Sequence, residues 1–192
     1  MDLDRQFLSA HLETPVIENV KYRYSMYYTT ELGHHPQGFF SFKYSDANGA
    51  ERRSAATAFQ PTYARRAFPC FDEPALKATF NISLARQTNM TAISNMPLRS
   101  TKRMTKWPVQ YVMRGTILKS DFQCLQADTN KIWARKEVLH EAKYALDITS
   151  SVCKFFEEYF NISYPLPKLD VIALPSSNMM AFEAWGTIIG YS

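Results

Sequence analysis

The chain has 192 residues, 46% hydrophobic and 14% aromatic, which suits one domain and a portion of another and excludes a disordered polymer. Its formal net charge is +4, but the basic residues are scattered; the densest run, Arg99 to Lys106, has little aromatic interleaving and reads as a solvated loop, so no nucleic-acid surface is expected. The three cysteines, Cys70, Cys124 and Cys153, are far apart and form no CxxC, so neither a disulfide framework nor a thiolate metal site is indicated.

The N-terminal MDLDRQFLSAHLETP lacks the basic and apolar regions of a signal peptide, and no apolar run reaches membrane-spanning length. Residues 16–30, VIENVKYRYSMYYTT, are rich in Val, Ile, Tyr and Thr and predict a strand. After a turn at Gly33-His34-His35-Pro36 comes GFFSFKYSD, with alternating aromatics, then Asp46-Ala47-Asn48-Gly49 and RRSAATAF. That Asn-Gly between two alternating runs predicts a hairpin.

The next stretch, Phe59 to Phe80, is the densest in unusual chemistry. It holds Arg65, Arg66, Asp72 and Glu73, the prolines Pro69 and Pro74, and the aromatics Phe59, Phe68 and Phe71. Each proline fixes its own φ and keeps the residue before it out of the α region, so the chain turns twice around Cys70–Glu73. We expect a buried irregular segment whose charges pair internally, with Asp72 facing Arg65 or Arg66.

KATFNISLAR, 77–86, alternates as a strand, and TAISNMPLRS reads as a strand followed by a turn. MRGTILKSDF predicts a further strand, with Arg114 and Lys119 intruding on it, and KIWARKE a short amphipathic one. In YALDITSSVCKFFEEYF, Ala145, Ile148, Val152, Phe155, Phe156 and Tyr159 recur at three- and four-residue spacing, which predicts an amphipathic helix of about four turns with this stripe in the core. Asn161 to Pro167 terminates it, since Pro165 cannot continue a helix. KLDVIALP then reads as a buried strand, and WGTIIGYS as a final apolar strand expected to leave an unpaired edge. Asn81, Asn89 and Asn161 begin N-x-S/T sequons and are candidate glycosylation sites, which points to a secretory lineage and sits against the missing signal peptide.

The run from Gln60, QPTYARRAFPCFDEPALKATF, resembles the hallmark of the N-terminal β-domain of zinc aminopeptidases of the aminopeptidase N family, with Gln60 where an acid is usual. SNMP at Ser94–Pro97 and KIWARKE are similar to the same family, and the likeness runs from about residue 15 to 192. It implies a mainly β fold: a partial, saddle-like β-sandwich domain over residues 1–123, then the α/β start of a thermolysin-like catalytic domain over 124–192. It also implies peptide N-termini as ligands, zinc as the family's cofactor, and an extracellular or plasma-membrane ectodomain setting.

A zinc peptidase needs three protein ligands, an open position for water and a carboxylate to take the water's proton. The histidines here are His11, His34, His35 and His140. His34 and His35 are adjacent, so a strand would point them to opposite faces. His140-Glu141-Ala142-Lys143-Tyr144 is an HExxY that lacks the second histidine. The resemblance places the family's HExxH beyond Ser192. No catalytic residue and no zinc site are therefore expected in this chain.

The exopeptidase motif is reached. Met180-Ala181-Phe182-Glu183-Ala184-Trp185-Gly186 occupies the place of the family's GxMENWG. The resemblance implies that Glu183 binds the free α-amino group, that Met180 and Ala181 run beside the substrate, and that Gln60 lines the first subsite. Met180 replaces a glycine suited to close backbone approach, and Ala184 replaces an asparagine. The expectation is thus a portion of a zinc aminopeptidase that removes N-terminal residues from peptides, inactive as this chain. The alternatives are a non-enzymatic decoy or binding partner of a full-length aminopeptidase, and a truncated gene product without a function of its own.

Overall fold

The computed structural model describes residues 6–102, 116–119, 121–175 and 181–191. It is mainly β, as expected, with two sheets and one long helix among the described residues. The expected hairpin is present: β1 (Gly38–Ser45) pairs antiparallel with β2 (Glu51–Ala58), from Gly38 opposite Ala58 to Ser45 opposite Glu51. Asp46 builds its turn. Its carboxylate accepts the Asn48 and Ala50 N–H groups at 2.9 and 3.0 Å and the Arg52 Nε–H at 2.8 Å. This local closure is what an aspartate offers a turn. Two short strands, β3 (Met90–Ile93) and β4 (Thr116–Lys119), complete an antiparallel sheet in the order β1-β2-β4-β3. Arg114 lies outside the described residues.

The second sheet has the order β5-β6-β7-β9-β8. β5 (Phe122–Ala127) and β6 (Asn130–Arg135) form an antiparallel hairpin. Helix α1 (Ala142–Phe160) then crosses over to β7 (Leu169–Leu174), parallel to β6. β9 (Thr187–Tyr191) runs parallel to β7, and β8 (Phe182–Ala184) folds back on β9. The apolar strand expected at an edge is therefore interior, between β7 and β8. Burial on both sides of the ladder is what its Thr-Ile-Ile pattern suits.

The sheets share a core. Tyr44, Ile93 and Leu118 of the first pack with Phe122, Ile172, Leu174 and Ile189 of the second. Tyr44 also donates its hydroxyl to both Asp121 oxygens, at 2.8 and 2.9 Å, and burial together with that carboxylate pushes the phenol far above its usual range. A separate cluster lies under α1, where Ala142 and Leu146 meet Ile132 and Ala134.

Other expectations fail as well. Residues 16–30 are not a strand: the segment turns at Glu18-Asn19, with Asn19 at φ 63°, and forms no ladder, and Val16, Ile17, Val20, Tyr22, Tyr24 and Tyr27 are exposed. Strand propensity measures fit to a half-buried pleated surface, and no strand among the described residues offers one here. KATFNISLAR carries no ladder for the same reason. The helix, 19 residues, is about one turn longer than expected and ends as expected at Asn161, in the left-handed region (φ 52°), with the Ile162 N–H returning to the Glu157 carbonyl at 3.1 Å. Its stripe, however, is largely uncovered: Ile148, Val152, Phe155, Phe156 and Tyr159 are all exposed. β5 and β6 cover its N-terminal half, where Ala142 and Leu146 supply the buried contacts.

Candidate functional site

The Phe59–Phe80 stretch is anchored at one end and open at the other. Phe59, Ala64 and Phe68 are buried together, with Phe59 edge-on to Phe68 at 5.9 Å. Between them the chain makes a cis Gln60-Pro61 bond and a short 3-10 turn at Ala64–Arg66. The expected acid–arginine pair forms with Arg65. Asp72 Oδ2 accepts the Arg65 backbone N–H at 2.9 Å and its Nε–H at 3.0 Å, and Arg65 Nη2 reaches Glu73 at 3.1 Å. Asp72 is nearly covered and Arg65 half-buried, whereas Arg66 is exposed and its guanidinium lies over the Tyr63 ring. Phe71, expected inside, is 87% exposed. The ion pair closes the loop from the inside and leaves the ring on the rim. Cys70, beside this pair, has its thiol pushed up to about 11 by burial and then by Asp72.

This loop faces β8 across a cleft of about 690 Å³. Gln60, Phe68, Asp72 and Glu73 line it from one side, and Glu183, Ala184 and Trp185 from the other. Gln60 and Glu183, 123 residues apart, meet directly: the Gln60 side-chain amide donates to the Glu183 backbone carbonyl at 3.2 Å. The Glu183 carboxylate is exposed and takes no hydrogen bond or ion pair from any described residue. Ala181 is exposed and does not belong to the lining of the cleft, and Met180 lies outside the described residues.

Two polar contacts seat the turn after β8. Asn95 Nδ2 donates to the Trp185 carbonyl at 2.6 Å. Gly186 has φ +69°, and a Cβ there would come within 2.3 Å of the Asn95 carbonyl, so only glycine fits the turn and the close approach together. Lys168 lies beneath, its side chain buried against Asp170. Burial pulls the Lys168 ammonium below its usual range, while Asp170 opposes that shift. Composition could not show these contacts. One signal was present in the strand pattern: Lys168 and Asp170, two apart and so on one face, open a strand that is otherwise apolar.

His11, His34, His35 and His140 are all exposed, and no three His, Cys, Asp or Glu side chains converge among the described residues. The nearest partner of His140 is Glu141, at 3.7 Å on the surface. Among the described residues, no helix is long and apolar enough to cross a membrane.

Comparison with known proteins sets the site in context. Residues 2–120 match the model of the peptidase M1 N-terminal domain, and residues 144–192 match that of the peptidase family M1 domain. Endoplasmic reticulum aminopeptidase 1 of Mus musculus is 38% identical over 186 residues, covering 90% of this chain and 20% of the relative. Aminopeptidase N of Bos taurus is 36% identical over 202 residues (95% and 21%), and aminopeptidase Ey of Gallus gallus 34% over 208 residues (98% and 21%). The chain thus spans about a fifth of the length of the curated relatives it matches. With matches to both domain models in chain order, and the first covering more than half of its length, the chain belongs to peptidase family M1.

Proposed function

We propose that these residues form the substrate-orienting part of a zinc aminopeptidase, in which the Glu183 carboxylate pairs with the free α-ammonium of a peptide and Gln60 lines the first subsite. One observation carries this reading: a carboxylate without a partner among the described residues stands at the rim of a cleft, and the loop that forms the opposite wall is hydrogen-bonded to the Glu183 backbone. A carboxylate held in place by backbone contacts can select an ammonium and aim the first peptide bond in one direction. Met180 and Ala181 enter this reading as the backbone running beside the substrate, on the strength of the motif alone.

Hydrolysis requires a metal-activated water, and the histidines of this sequence do not supply its ligands. In this reading the 192 residues bind and orient, and turnover needs ligands that they do not carry. The test is titration of the chain with trialanine and with N-acetyl-trialanine. Binding of the free amine alone, abolished by Glu183→Ala, is the expected result, and equal binding of both peptides would refute it.

Asn81, Asn89 and Asn161 are all exposed, which fits N-glycosylation in a secretory setting. Asn161 caps α1 through its backbone and leaves its amide available. Secretory expression should give three glycosidase-sensitive mass steps; a single unmodified species would remove glycosylation from the reading.

A further inference from the structure

We infer that Lys168 is a positioning residue for Glu183: its ammonium ties the first sheet's backbone to the turn that follows β8 and so holds β8 opposite Gln60. The inference rests on the reading of Glu183 as the amine-binding carboxylate.

Lys168 Nζ has four acceptors from three parts of the chain. Asp170 Oδ2 belongs to β7, the Ser94 carbonyl follows β3 in the first sheet, and the Gly186 carbonyl (2.8 Å) and Thr187 hydroxyl (3.3 Å) lie where the β8–β9 turn enters β9. An ammonium brings three protons on a flexible stem, so one side chain can serve acceptors that converge from separate elements. Asp170 is itself fixed, since its other oxygen accepts the Trp133 indole N–H at 3.0 Å and its backbone N–H donates to Gly186 at 3.0 Å. The anchor is therefore rigid on the β7 side, and the two joined pieces are Ser94 and Gly186.

The consequence for Glu183 follows from chain continuity. Glu183 lies three residues before Gly186, and of the carbonyls between them Glu183 takes Gln60, Trp185 takes Asn95 and Gly186 takes Lys168. The two outer contacts are exposed, and the Lys168 contact is buried. Water competes with the first two and not with the third. Lys168 reaches the first sheet through a partly buried bond to the Ser94 carbonyl, which also accepts the Thr187 hydroxyl at 3.4 Å; together these set where the turn sits against the first sheet, with Lys168 the charged member, and the exposed pair adjusts β8 within that frame. A carboxylate displaced by about 1 Å loses much of its orienting effect.

The experiment uses the whole 192-residue chain and three forms: the parent, Lys168→Met with Asp170→Asn, and Lys168→Arg. The double substitution removes both charges, so no unpaired acid is left buried. The arginine keeps the charge beside Asp170 but not the point-like ammonium. Two readouts are taken by NMR: nuclear Overhauser contacts from the Gln60 side-chain amide to β8, and the affinity ratio of trialanine to N-acetyl-trialanine. Amide-exchange protection of β7 and β9 reports whether the fold persists. The expected result is retained protection, lost Gln60–β8 contacts and a free-amine preference reduced about tenfold. Should the double variant not fold, the arginine form decides by the same readouts. Unchanged contacts and preference in a folded variant would overturn the inference. A parent chain without free-amine preference would instead sink the reading of Glu183, and the Overhauser contacts would then decide the role of Lys168 alone.

Discussion

The two surfaces on which the second sheet and its helix could be organised behave in opposite ways. At the β8–β9 turn, a charged group is drawn inside and paired, Lys168 with Asp170, Ser94 and Gly186, while Asn95 meets the Trp185 carbonyl at the surface. Along α1, apolar groups stay outside, from Ile148 to Tyr159, touching chiefly one another, as in the Phe155–Tyr159 stack at 5.9 Å. Hydropathy alone would assign the two surfaces the other way round. On the inference above, the turn after β8 is placed by the shared apolar core and the buried Lys168 contacts, and the aromatic stripe takes no part in it.

That comparison breaks most directly at Lys168. Lys168→Met alone leaves Asp170 buried without its partner and should cost about 3–5 kcal/mol in urea unfolding. A loss below 1 kcal/mol, on the order of an exposed ion pair, would mean that the contact is wet. Gly186→Ala comes next, at about 3 kcal/mol, because the new methyl group meets the Asn95 backbone and the residue sits at positive φ. Asn95→Ala should not rescue it, since the obstructing atom is a main-chain oxygen.

The helix sharpens the contrast from the other side. Leu146→Ala, in the buried half of α1, should cost about 2–4 kcal/mol, whereas Phe156→Ala, in the exposed half, should stay within about 0.5 kcal/mol. Equal losses at the two positions would show that the stripe is covered in solution. The smallest effect is expected at the hairpin turn. The Arg52 hydrogen bond holds the Asp46 carboxyl below its ordinary range, with the Ala50 and Asn48 amides adding to it. A folded-state value below the unfolded one means that this contribution is present above the unfolded carboxylate range and is lost as pH falls through the folded value. Asp46→Asn should therefore lower stability slightly at neutral pH and flatten the acid limb of the profile, the two forms converging once the carboxyl is protonated.

Much of the local structure was legible in the residues. The β1–β2 hairpin follows from alternation on both sides of Asp46-Ala47-Asn48-Gly49, and the end of α1 from Asn161 and the prolines beyond it. Both are decided by neighbours in sequence. Residues 16–30 misled because strand-forming side chains were read without knowing whether a ladder partner exists. MRGTILKSDF reads as one strand through Phe122, whereas Phe122 begins β5, which pairs with β6 across the short Asp128-Thr129 turn. The site was legible only through resemblance. Glu183 and Gln60 could be named from their motifs, but their contact joins positions 123 residues apart. The Lys168/Asp170 spacing marks a charged pair at the start of β7, but the partner that gives Lys168 its role, the Ser94 carbonyl, lies 74 residues upstream.

The central claim is that these residues orient a peptide's amino end but do not themselves hydrolyse it. The measurement that tests this most directly combines the metal content of the purified 192-residue chain with hydrolysis of an aminoacyl chromogenic substrate, with and without added zinc. The expected result is less than one equivalent of retained zinc and no turnover in either condition. One tightly held zinc per chain, together with hydrolysis that Glu183→Ala abolishes, would contradict the claim and reveal a ligand set that the spacing of the four histidines does not disclose.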